Sequence, residues 1–162
     1  MKEYIINSET VVVMSNGDSS CKIYELNNTI DVDLSYIKLI DMSCKYFGSS
    51  LKGRIDGSKY YLGCNYKLPI IIDESRDMIA FPTSSYRSEE NTFILFNQIK
   101  DYDKTDNGIV IYLKDGKYIE LEESFGMFEN QYLRAQKLLL KLKRRKITSL
   151  KWCFFVNFFK NA

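Results

Sequence analysis

Between Glu9 and Asp33 the apolar positions come in short runs separated by turn residues. Thr10-Val11-Val12-Val13 is β-branched and strand-forming. Asn16-Gly17-Asp18 follows it, and Asn-Gly accepts the positive φ of a tight hairpin. Lys22 to Leu26 alternates, Asn27-Asn28 turns, and Thr29 to Asp33 makes a third short strand. The period then changes. Tyr36, Ile37, Ile40, Cys44 and Phe47 recur at three and four residues, which predicts a helix over Ser35–Phe47 with Ser35 as its cap and Gly48 as its end. Gly48 to Gly57 reads as a Gly/Ser-rich loop, and Tyr60-Tyr61-Leu62 as strand.

Further on, Leu68 to Asp73 and Met78 to Phe81 are short apolar runs, the pattern of buried strands. Thr83 to Glu90 is polar loop, and Phe93 to Phe96 is strand. Ile109–Leu113 and Tyr118–Leu121 flank Asp115-Gly116 as the clearest hairpin in the chain. From Ser124 to about Lys146 the spacing is helical. Phe128, Tyr132, Ala135, Leu139 and Leu142 share one face, and Arg134, Lys137, Lys141, Arg144 and Arg145 share the other. Leu133 and Leu140 flank the apolar stripe and are candidates for self-association. Residues 147–162 differ in character: Trp152 to Phe159 is apolar and aromatic, a strand or an interaction surface. These elements predict an α+β fold: a single β-rich domain, 1–146, with one central helix and a long C-terminal basic amphipathic helix, followed by an atypical tail, 147–162.

Composition narrows the chemistry. The 162 residues contain no histidine, which excludes Ser-His-Asp and Cys-His nucleophiles and histidine zinc sites. Cys21, Cys44, Cys64 and Cys153 form no CxxC pair, so no metal and no cofactor is expected. The start MKEYIINSE lacks an apolar signal core, so a cytoplasmic protein with reduced thiols is expected. Net charge is only +2, but it is segregated. All 21 acids lie in residues 1–129 with 14 Lys/Arg, leaving −7; residues 130–162 hold 9 Lys/Arg and no acid. Such a split makes a local positive field that suits a polyanion.

Two cationic stretches carry that reading. The final helix has no acid with which to form an intrahelical pair, whereas a merely solvated face mixes signs. Cys44 to Lys67 sets Lys45, Lys52, Arg54 and Lys59 among Tyr46, Phe47, Tyr60, Tyr61 and Tyr66, with glycines and serines able to approach a phosphate backbone. A polar loop beside an aromatic core has the same composition. A membrane-surface or protein-interaction module using the basic helix and aromatic tail is the alternative. Gly48 to Arg54 has P-loop glycine spacing, yet Arg54-Ile55 stands where Lys-Ser/Thr is needed, so nucleotide hydrolysis has no mechanism. The acid pairs Asp73/Glu74, Asp101/Asp103 and Glu122/Glu123 read as solvated turn and strand-end residues, and no enzymatic activity is expected.

Asp41-Met42-Ser43-Cys44-Lys45-Tyr46-Phe47-Gly48-Ser49-Ser50-Leu51-Lys52-Gly53-Arg54 resembles the signature of the competence transcription factor family, ComK. Lys67 to Asp73, Ala80 to Ser85, and Ser124 to Arg134 with Phe128-Glu129-Asn130-Gln131 agree in order, and the likeness spans roughly residues 5–145. The resemblance implies a DNA-binding transcriptional activator of a Gram-positive bacterium that switches on genes for DNA uptake. It implies binding to paired A/T-rich boxes, largely through the minor groove, as a homodimer or higher homo-oligomer. RNA polymerase and a Clp-protease adaptor are further partners implied, although the 147–162 ending does not match the aromatic-basic motif some members carry. Double-stranded DNA is thus the expected partner of a cytoplasmic, nucleoid-associated protein. Charge and position select Lys45, Lys52, Arg54, Lys59, Arg134, Lys137, Lys141, Arg144 and Arg145 as DNA-contact candidates.

Overall fold

The computed structural model describes residues 3–160, with the backbone alone over 151–159. The chain runs β1 (Thr10–Ser15), β2 (Cys21–Glu25), β3 (Thr29–Val32), α1 (Tyr36–Tyr46), α2 (Leu51–Leu62), β4 (Ile70–Asp73), β5 (Met78–Pro82), β6 (Thr92–Leu95), a 3-10 turn (Phe96–Gln98), β7 (Ile99–Lys104), β8 (Ile109–Leu113), β9 (Tyr118–Leu121) and α3 (Phe125–Lys160). All strand pairs are antiparallel. Six strands form one sheet in the order β3-β2-β1-β6-β5-β4, and three form another, β7-β8-β9.

The large sheet is buried on both faces, which explains its unbroken apolar runs. Along β5, Met78 and Ala80 face α1 and α2, while Ile79 and Phe81 face the small sheet and α3. Val13, Ile23 and Phe93 pack with Leu39, Ile40 and Cys44 on the first side. Val12 and Ile94 pack with Ile109, Ile111, Phe128, Ala135 and Leu138 on the second. The result is three layers: the α1–α2 pair, the large sheet, and the small sheet with α3.

The expected α+β class holds, with three corrections within it. Residues 51–62, read as loop and then strand, form helix α2. Its apolar period is invisible because only Leu51 and Ser58 are buried and the helix includes Gly53 and Gly57. β7 was not anticipated, since IKDYDK buries only Ile99 fully and pairs through its backbone with β8. Finally, α3 does not stop near Lys146 or give way to a strand; it continues to Lys160, as no Gly or Pro follows Lys146. The side chains of Trp152–Phe159 lie outside the described residues.

Candidate nucleic-acid interface

The candidate cations belong to the last turn of α1, to α2 and to the length of α3. Local chemistry builds the first two. Gly48, at φ +86°, turns the chain out of α1. The Ser50 hydroxyl accepts from Gly53 N–H at 3.0 Å, and the Asp41 carboxylate accepts from Leu51 N–H at 2.9 Å. Asp41 also pairs with Lys45 at 2.7 Å. The hydrogen bond from Lys45, with the Leu51 N–H second, holds the Asp41 carboxyl below its usual range. Ser43 is fully buried and fastens the N-terminal segment, accepting from Ile6 N–H at 3.0 Å and donating to the Leu39 carbonyl at 2.9 Å.

Much of the Asp41–Arg54 signature is therefore scaffold. Within the Gly/Ser stretch, the N–H groups of Gly48, Ser49 and Gly53 are already bonded inside the chain and so are not offered to a phosphate. Arg54 is half-buried, its Nε atom lacks a hydrogen-bond partner, and its charge opposes the upward shift that burial gives the Cys44 thiol. Outward on α2 stand Lys52, Asp56, Lys59 and Tyr60, the last 84% exposed. From Lys52 to Tyr60 the row spans about 12 Å of helix.

Helix α3 is bolted across the C-terminal end of α2. Lys141 Nζ donates to the Tyr61 carbonyl at 2.6 Å, and Arg145 donates to the Tyr61 hydroxyl at 3.1 Å. Nearer its start, the buried Gln131 amide donates to the carbonyls of Lys67 at 2.6 Å and Pro82 at 2.8 Å. Arg134 donates to the Tyr66 carbonyl at 2.8 Å. At its N-terminus the Ser124 carbonyl accepts from Phe128 N–H at 2.9 Å.

These contacts divide the candidate cations by what remains of their charge. Arg145 forms an ion pair with Glu74, and Lys45 with Asp41. Lys143 and Lys146 lie 3.6 and 3.8 Å from Asp77. Arg134 and Lys141 bond to neutral carbonyls, so their charge is anchored but not cancelled. Of the candidates, Lys52, Lys59, Lys137 and Arg144 are exposed with no carboxylate within ion-pair distance among the described residues, a state shared away from α2 and α3 by Lys38, Arg87, Lys100, Lys104 and Lys114. The Glu74 and Asp77 pairings had no sequence signal, being some 70 positions from their partners. One open groove elsewhere is acidic, lined by Glu90, Glu120, Glu122 and Glu123.

The architecture defines a β-rich α+β domain in which two packed helices, α2 and α3, each carry exposed cations without ion-pair partners, an arrangement that suits a polyanion. A family model described as ComK protein matches residues 1–147, and the chain belongs to that family. It is 30% identical over 149 residues to the competence transcription factor of Bacillus subtilis (strain 168), covering 90% of this chain and 78% of that relative. No solved structure matches it. Membership and relative together support a competence-related transcription factor.

Proposed function

We propose that this chain is a DNA-binding transcriptional activator of competence genes that approaches A/T-rich duplex largely through the minor groove. The observation that carries the reading is the division of cations above. Exposed cations without an ion-pair partner line both packed helices, α2 at Lys52 and Lys59 and α3 at Lys137 and Arg144, while Arg134 and Lys141 of α3 are anchored by neutral carbonyls. Cations neutralise phosphates and release counterions, while A/T-dependent groove shape supplies sequence preference. The exposed Tyr46, Tyr60 and Tyr66 flank this surface and add planar apolar contact.

The action is stoichiometric rather than enzymatic. A homodimer would present two such surfaces at fixed spacing, matching paired boxes. Contact with RNA polymerase, turnover through a Clp-protease adaptor, and a cytoplasmic, nucleoid-associated location belong to the same reading. Among the described residues no helix is long and apolar enough to cross a membrane.

Gel shifts on A/T-rich and G/C-rich duplexes, repeated across salt, test the reading. Tighter binding to the A/T-rich duplex is expected at every salt concentration. Equal affinity for both removes the sequence-reading component, and no duplex binding by folded protein removes the function.

A further inference from the structure

The body accounts for one face of α3, and phosphate contact accounts for its exposed cations. Neither accounts for Leu133, Leu140 and Ile147, which are 52%, 52% and 55% exposed. These residues repeat every seven positions and so share one outward line on the helix. Lys137 and Arg144 alternate with them along the same line and are exposed too. Leu150 extends the apolar row at 60% exposure. A lone exposed leucine needs no explanation, but a sustained seven-residue repeat is the geometry of a seam for another helix.

The charge pattern selects the occupant. From Asn130 onward the chain has no acidic residue. In a pair made of two α3 helices, parallel or antiparallel, cations would therefore flank the seam on both sides with no counter-charge. Insertion into a membrane needs a broad apolar arc, whereas here Lys137 and Arg144 interrupt the row itself. Duplex DNA satisfies the cations and leaves the leucines against phosphate. We infer that the outer row Leu133–Lys137–Leu140–Arg144–Ile147 docks an acidic amphipathic helix of another protein. Its apolar residues cover the leucines, and its carboxylates pair with Lys137 and Arg144. This docking stands independently of DNA binding. If both occur, they compete, because both use Lys137 and Arg144. The homodimer of the DNA reading then lies on another surface.

The test uses the full chain and a fluorescent synthetic peptide of three heptads, with leucine at its seam positions and glutamate beside them. Saturable binding is expected, weakening as salt rises. Leu140→Ala with Ile147→Ala should weaken it roughly tenfold or more. Lys137→Gln with Arg144→Gln should weaken it and flatten its salt dependence. These positions are exposed, so unchanged circular dichroism verifies that the variants remain folded. The inference is overturned if folded protein leaves the peptide unbound, or binds a scrambled or lysine-substituted peptide equally. It is also overturned if the leucine substitutions abolish dimerisation in sedimentation or attachment to anionic vesicles while leaving peptide binding unchanged. Gel shifts with the leucine variants separate this from the DNA reading, which predicts retained duplex binding.

Discussion

Gln131 shows how one polar side chain sets the placement of the functional helix. Its amide is buried and donates to two backbone carbonyls, at Lys67 and Pro82, that α3 would otherwise cover without a donor. Gln131→Leu leaves both acceptors unpaired and should destabilise the fold by about 1–3 kcal/mol in urea unfolding. Asp41 acts similarly at the start of α2. Its lowered pKa means that the folded state favours the carboxylate. The resulting stability is present above the ordinary carboxylate pKa, ~3.9, and is lost as pH falls through the lower folded value. The stability gap between the native chain and Asp41→Asn should therefore close on acidification, which denaturant midpoints across roughly pH 2–6 would reveal. Thiol reactivity separates the cysteines. Burial pushes the Cys21 and Cys44 thiols up to about 11 and about 12 respectively, whereas Cys64 is only half-buried. In a Cys153→Ser background, iodoacetamide should label Cys64 first and reach the other two only on unfolding.

At the scale of elements, legibility followed burial. Strands β1 to β6, β8 and β9 were readable because their apolar residues alternate or run unbroken between turn residues. The apolar face of α3 was readable in outline, although Gln131 and Leu138 occupy buried positions that the expected stripe of Tyr132 and Leu139 did not name. Helix α2 was not readable. Its two glycines and single buried leucine conceal the period, and its start is fixed by Asp41, ten residues upstream of the N–H it caps. Gly63 closes the helix at φ +65°, with its N–H bonded to the Lys59 carbonyl. Ser50→Ala and Gly63→Ala should each cost about 1 kcal/mol, since one removes a cap and the other places a Cβ in left-handed backbone. Both substitutions should appear as lowered unfolding midpoints. If α2 carries DNA contacts, they should also weaken duplex binding as temperature approaches the transition.

For the whole molecule, the sequence revealed that charge was segregated but not which cations remained effective. The −7 body and the acid-free end invited the reading of one uniformly positive helix. Folding alters that picture, because the β4–β5 turn brings Glu74 and Asp77 against Lys143, Arg145 and Lys146. Surface pairs of this kind contribute little stability, about 0–1 kcal/mol, yet they diminish the local field. Of the candidate cations, Lys52, Lys59, Lys137 and Arg144 thereby keep both exposure and uncompensated charge. The most direct test is the salt dependence of A/T-rich duplex binding for two variants with comparable reductions in positive charge. Replacing Lys52, Lys59, Lys137 and Arg144 with glutamine should shallow the log–log slope by up to about 0.9 for every phosphate no longer neutralised. Replacing Lys143, Arg145 and Lys146 with glutamine should leave it near that of the native chain. Equal changes in both variants, or a change confined to the second, would contradict the account.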